Sequence, residues 1–395
     1  MGEIGAMATT RSGATAGELL DLLRSGRAVT RSDLRRITGL SRTAVVSRVE
    51  ALVESGLVVS GGELASTGGR PPGSVVFDHN AGMVAAAAVG RSRSQVALFD
   101  LAGTELGAAA VEHDVGAGPG DVMPNVAQQL SVLRSEHPGP VLGVGVSIPG
   151  SVDPERGVSV DSPVMAGWDG VDLHPFLVDT ADAPLFVGND ADVLARSERL
   201  GYAARHRNLI VVKASTGLGL GILADGRIVS GNLGGAGEVG HTKVKAAEGR
   251  QCRCGDTGCL ETLAGGWALV ARLQESGRSV DHVRGLVALA LDGDAAAKKL
   301  LRESGRCLGE VLAVAINLLN PQAVVLGGDM AAAFDVYAAG VRESVYARAT
   351  ALATRELHFL PASFGDRAGL VGCASMALDQ VLSPAAVDAR LAAGL

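Results

Sequence analysis

Aromatic side chains are nearly missing from this chain. Phe, Trp and Tyr together make up 3 % of its 395 residues, so any core must be packed from Ala, Val and Leu. Charge is also modest, with 19 % charged residues and a formal net charge of −7, which argues against a surface that coats nucleic acid along its whole length. No run of about 18 apolar residues occurs, and the N-terminus has no hydrophobic signal core, so the chain is expected to be cytoplasmic with no membrane partner. Cysteine is scarce, five in all, too few for a disulfide framework at this length. The 47 % of hydrophobic residues fits a folded protein of two or three domains. Charge is unevenly spread: residues 1–75 hold nine Arg against seven acidic groups, +2 locally, which leaves the remainder near −9. Three of the cysteines, Cys252, Cys254 and Cys259, fall within eight residues, a spacing that calls for a metal.

Residues 1–15 show no apolar period and are expected to be a flexible tail. A winged helix-turn-helix is predicted over 16–66, followed by a linker or arm over 67–80. Leu19, Leu20, Leu22 and Leu23 give a first helix its apolar stripe, ended by Gly26. Thr30 with Asp33 reads as the capping box of a second helix, with Leu34 and Ile37 inward. Ser41 caps a third, from Arg42 to about Ser55, whose Val45, Val49 and Leu52 point inward at helical spacing. Arg42, Thr43, Val46, Ser47 and Glu50 then line the free face. Side chains of that kind at the start of a helix reach base edges and phosphates in the major groove. The candidate DNA contacts are Arg31, Arg42, Thr43, Val46, Ser47, Arg48 and Arg70. Leu57–Val59 and Glu63–Ala65, around Gly61-Gly62, are predicted to form the wing. Arg70, in Thr67-Gly-Gly-Arg-Pro-Pro72, suits a narrow minor groove; the same segment also reads as a plain linker. The whole segment resembles the winged helix-turn-helix of bacterial repressors.

Beyond Val75, short Val/Ala/Leu strands alternate with Ala-rich helices, predicting an α/β fold in two similar blocks, hence two lobes flanking a cleft over 81–395. Gly143-Val-Gly-Val-Ser-Ile-Pro149-Gly150-Ser-Val-Asp153, Gly188-Asn189-Asp190-Ala191, Ser215-Thr216-Gly217-Leu218-Gly219 and Gly237-Glu238-Val239-Gly240-His241 occur in order. Cys252-Arg-Cys254-Gly-Asp-Thr-Gly-Cys259-Leu-Glu261 and Asn320-Pro321 with Leu326-Gly327-Gly328 follow. In that order, behind a helix-turn-helix, they resemble the ROK family of sugar kinases and repressors. The resemblance implies an actin/hexokinase-like (RNase H-like) fold. It also implies a sugar or sugar phosphate held by Asn189, Asp190, Glu238, His241 and Glu261.

Asp190 begins a predicted helix; in a sugar kinase such a carboxylate takes the proton from the attacking hydroxyl, while a residue there also serves as a helix cap. Thr216-Gly217-Leu218-Gly219 is either a phosphate-cradling turn or a tight hairpin. The chain departs from the kinases of the family at the end of its first strand, where Ala88 and Arg91 replace residues that handle ATP phosphates and their metal ion; no catalytic residue is expected, and Asp190 would be a vestigial base. Val164 replaces an Asn usual in sugar-binding relatives. His241, Cys252, Cys254 and Cys259 form a His-Cys₃ set that suits structural Zn²⁺, and Cys307 and Cys373 read as buried thiols. The expected function is a repressor that binds an inverted-repeat, double-stranded DNA operator as a homodimer or homotetramer and is modulated by its sugar. Two alternatives stand beside it: a bifunctional sugar kinase that also binds DNA, and a repressor controlled by a protein partner.

Overall fold

The computed structural model of the protein describes residues 13–63, 73–153, 155–160, 165 and 167–394. The arm with Arg70, most of the expected tail, and Val164 lie outside these residues. The described chain divides into two units. One holds the residues up to Met83, the short stretch Asp100–Thr104 and the chain from Leu378 onward; the other holds Val84–Phe99 and Glu105–Ala377.

In the first unit the three expected helices run over Ala16–Arg24, Arg31–Thr38 and Arg42–Glu54. Thr30 and Asp33 form the reciprocal capping box, and Ser41 accepts from the amide of Ala44. Leu19, Leu20, Leu34, Val45, Val49 and Leu52 are fully buried. The wing differs from its prediction. Val58–Glu63 is one continuous strand, and its antiparallel partner is Gly73–Phe77, with Val59 opposite Val76. Gly61-Gly62 is therefore not the turn. A Cβ at Gly61 would stand 2.1 Å from Ser74 Oγ, and that hydroxyl donates to Gly62 O at 2.8 Å, so it is the bareness of Gly61 that admits the partner strand.

The predicted effector domain ran to residue 395, yet the chain from Leu378 belongs to the first unit. Its last helix, Pro384–Ala392, lies on Ala16–Arg24 at backbone distance: a Cβ at Gly17 would come within 2.2 Å of Pro384 O. Asp388 Oδ1 accepts from Gly17 N at 2.8 Å, placing a carboxylate on one of the unpaired amides that open a helix. Arg24 donates to Leu382 O and lies over the Phe77 ring. These contacts replace aromatic bulk that this small unit lacks.

The second unit is built from two five-stranded sheets of identical order. Numbering strands along each block, both read third, second, first, fourth, fifth: Glu105–Glu112, Arg93–Asp100, Met83–Val89, Val141–Ile148, Leu185–Asn189, and Arg227–Ile228, Leu218–Ala224, Leu209–Ala214, Ala323–Gly327, His358–Pro361. In the second sheet Leu209–Ala214 pairs antiparallel with Leu218–Ala224 and parallel with Ala323–Gly327. Alternation sends Ile210, Val212 and Ala214 to one face, where helices between Gly266 and Arg348 cover them. Leu209 and Val211 pack on the other against Leu194 and Ala195 of the helix Asp190–Glu198. The duplicated α/β block confirms the expected fold class, and its core is Ala, Val, Leu and Ile with Phe99, Trp168 and Tyr337 as large members. No single helix among the described residues is long and apolar enough to cross a membrane.

Candidate functional site

On the third helix of the first unit, Arg42, Thr43 and Ser47 are exposed and Val46 is half-buried. Arg48 folds back, donating to Ala44 O at 3.2 Å. Arg31 is half-buried at the first position of the second helix.

In the second unit the sugar-site candidates gather around the start of the helix Asp190–Glu198. Asn189 caps it, accepting from Ala191 N at 2.8 Å and Asp192 N at 3.2 Å, and its amide donates to Gly150 O at 2.7 Å. The cap thus fixes the side chain that opens the site. Glu238 accepts from Ser151 Oγ at 3.0 Å; burial raises its pKa, against the pull of that hydroxyl.

Asp190 is not open. Lys213 Nζ donates to its Oδ2 at 2.7 Å, both side chains being mostly buried. Burial penalises the ammonium, but the adjoining Asp190 carboxylate, with Asp329 and Glu261 farther off, holds its pKa above the ordinary lysine value. The sequence reading missed Lys213, although it is the one charged residue in the apolar strand Leu209–Ala214.

Asp192 was missed too. Its Oδ2 accepts from Ser230 Oγ at 2.9 Å, its Oδ1 is buried without a hydrogen bond, and burial pushes its pKa up to about 6 against the Ser230 bond. A carboxyl whose folded pKa lies above the unfolded value favours folding in its protonated form. That contribution is present at low pH and lost as pH rises from about 4 through 6, a difference of roughly 3 kcal/mol. Asp192→Asn should therefore raise the melting temperature at pH 8 and lose most of that advantage at pH 5, read by calorimetry at both values.

The Ser215–Gly219 turn closes on the protein itself. Ser215 N donates to Gly217 O, and Leu218 N donates to Glu261 Oε2 at 3.0 Å. Glu261 Oε1 accepts from Trp267 Nε1 at 2.8 Å. Glu261 is 5 % exposed, and a Cβ at Gly217 would stand 2.8 Å from its Oε2. The expected sugar ligand Glu261 thus fills the space under the turn, and an amide suited to a phosphate already serves a carboxylate. Gly221 has a packing role: a Cβ there would meet Ala191 O at 2.4 Å.

The cysteine motif forms a cluster. One ligand atom each from His241, Cys252, Cys254 and Cys259 lies within 4.8 Å of every other. Cys254 Sγ and Cys259 Sγ are 3.7 Å apart, and Cys252 Sγ is 3.8 Å from His241 Nδ1. Tetrahedral bonds of about 2.3 Å to sulfur span edges of roughly 3.7 Å, so the donor set fits a metal ion of zinc's size. Gly255 and Gly258, at φ +89° and +81°, supply the left-handed turns that aim the thiols inward. Lys243 Nζ donates to Cys259 Sγ at 3.0 Å and pairs with Asp256 at 2.6 Å. With Nδ1 facing the sulfurs, Nε2 is the ring's remaining polar atom.

The ROK family profile matches residues 84–380. The xylose repressor of Bacillus subtilis (strain 168) is 29 % identical over 358 residues, spanning 90 % of this chain and 92 % of that protein. The DNA-binding transcriptional dual regulator NagC of Escherichia coli (strain K12) is 28 % identical over 343 residues, 81 % of this chain and 82 % of its own length. Among solved structures, a ROK family transcriptional regulator homologous to E. coli MLC superposes with a TM-score of 0.80 at 24 % identity, covering 96 % of this chain and 98 % of that one. A ROK family glucokinase from Streptomyces griseus, in complex with glucose and AMPPNP, gives a TM-score of 0.66 at 26 % identity and covers 75 % of this chain and 99 % of its own. With its motifs, its duplicated sheets and this match along most of its length, the chain belongs to the ROK family.

Proposed function

We propose that this chain is a cytoplasmic transcriptional repressor whose operator binding is modulated by a sugar, with zinc at the His-Cys₃ cluster and no kinase activity. The observation that carries this reading is the extent of similarity. The xylose repressor aligns over 90 % of the chain, whereas the glucokinase covers 75 %; the difference is about the size of the head. Within the body, phosphoryl transfer depends on a free base, a metal-binding carboxylate and amides for the phosphates. Here Asp190 is paired with Lys213, Ala88 stands at the first-strand position, and Leu218 N is taken by Glu261. His241, Cys252, Cys254 and Cys259 would hold the zinc, whose contribution is structural: it ties His241 and the segment leading to Glu261 together.

The test is fluorescence anisotropy of the zinc-loaded protein on its own upstream DNA, at fixed salt, with neutral sugars, amino sugars and sugar phosphates titrated in. One sugar weakening binding tenfold or more is the expected result; tight DNA binding that no sugar alters would overturn sugar control. ATP turnover with any of these sugars would overturn the non-kinase reading. On the head, Arg42→Ala should weaken operator binding about tenfold and reduce the salt slope by about one, measured by the same titration.

Two-fold operators call for paired heads, and the long helix Ala295–Leu319 offers a surface for the pairing. Val314 and Leu318 are 59 % and 78 % exposed and lie one turn apart, with Val311 and Ala315 half-buried beside them. A stripe of this kind supports a contact between two copies. Leu318→Glu should convert the oligomer to monomer in sedimentation velocity; an unchanged oligomer would place the interface elsewhere.

A further inference from the structure

We propose that Lys213 sets the class of sugar: its ammonium occupies the place of an exocyclic hydroxymethyl group, so the site takes five-carbon pyranoses in preference to hexoses. The inference rests on the reading that a sugar binds beside Asn189, Asp190 and Glu238, and deepens it.

A kinase that phosphorylates a hexose at its 6-hydroxyl must bring its base within hydrogen-bond reach of that oxygen. The carboxylate at the Asp190 position therefore marks where the sugar's C6 arm ends. In this chain the hydrogen-bonding place on Asp190 Oδ2 is taken by Lys213 Nζ at 2.7 Å, the distance a sugar hydroxyl would need. A hexose whose 6-hydroxyl takes that oxygen must displace the ammonium, which would then stand on an apolar strand between Val212 and Ala214, both fully buried. Separating a partly buried ion pair leaves each charge short of a partner and of water. A five-carbon pyranose has only hydrogen at that carbon and leaves the pair intact.

The ring hydroxyls still meet a prepared set of groups. Asn189 is held by Gly150 O, Glu238 by Ser151, and neither depends on Lys213. An anionic arm, a 6-phosphate or 6-carboxylate, fits less well than a bare ring: besides Asp190, the carboxylates of Asp329 and Glu261 act on the same ammonium.

The test is isothermal titration calorimetry on the full-length, zinc-loaded protein with two matched pairs, D-xylose against D-glucose and L-arabinose against D-galactose. The members of each pair differ only by the hydroxymethyl group. Glucose 6-phosphate and glucuronate serve as anionic probes. In the wild type the better-binding pentose should exceed its hexose partner by at least tenfold. In Lys213→Ala that ratio should fall at least tenfold, with hexose affinity rising. The wild-type ratio stands even if the variant misfolds. Hexoses equal to or better than pentoses would overturn the proposal while sugar control survives, and so would tightest binding of an anionic probe. Failure of every sugar to bind would overturn both.

Discussion

Cys259→Ser protein should leave purification without zinc and without any response to sugar. Cys259 is fully buried, its sulfur lies 3.7 Å from that of Cys254, and it accepts from Lys243. A serine keeps the size of the side chain but replaces the soft thiolate that zinc prefers with a hard hydroxyl. The residues after Cys259 lead directly into Glu261, which holds Leu218 N and the Trp267 ring. Loss of the cluster therefore reaches the turn beside Lys213 and the short helical turn Val239–His241 next to Glu238. Structural zinc sites contribute folding energy outright. A loss of about 5 kcal/mol would lower the melting temperature by roughly 10 °C. Metal content by atomic emission, scanning calorimetry and the sugar titration together read the result. Full sugar response in a metal-free variant would show that the four side chains hold their places unaided.

Gly17→Val should abolish tight operator binding while leaving sugar binding as it was. The branched side chain would have to enter the space of the Pro384 backbone, where even a single Cβ comes within 2.2 Å of the carbonyl oxygen. Backbone cannot swing aside as a side chain does, so the helix Pro384–Ala392 must shift, and Asp388 leaves the Gly17 amide. Overpacking of this kind costs about 1–3 kcal/mol, a large share of the stability of so small a unit. Gly62→Ala is the matched control, since nothing lies within 4 Å of a Cβ there. Anisotropy on the operator and calorimetry with sugar separate the two units' responses. Equal operator affinity for Gly17→Val and wild type would mean that the last helix is dispensable to the head.

Local signals in the sequence were read correctly because the physics behind them is local. The capping box of Thr30 and Asp33 spans three residues, and the cysteine spacing brings its own turn-forming glycines. The two α/β blocks of the body followed from alternating segments of Val, Ala and Leu. Gly61, Lys213 and Glu261 escaped because their partners are distant along the chain. Gly61-Gly62 looked like a turn because the strand that needs the bareness of Gly61, Gly73–Phe77, begins twelve residues after it. Lys213 and Asp190 are 23 residues apart, and Glu261 lies 43 residues from the amide it accepts. Arg48 counted as a groove contact by its face, but its guanidinium bonds the carbonyl one turn earlier. Thr15 capping the first helix with Glu18 was legible by the same rule as Thr30 and was passed over as tail.

The last helix has a consequence for how the protein is made. Gly17 and Asp388, which share a hydrogen bond, are 371 residues apart. At ordinary translation speeds roughly 20 to 70 s separate their synthesis. During that interval the three N-terminal helices are out of the ribosome without the segment that covers them. The head is completed only when nearly the whole body has been synthesised. A chain cut short by a stalled ribosome, a nonsense codon or a C-terminal protease has no finished head. If Gly17→Val loses the operator as expected, a fragment without the last helix, and so without Asp388 on the Gly17 amide, loses it too.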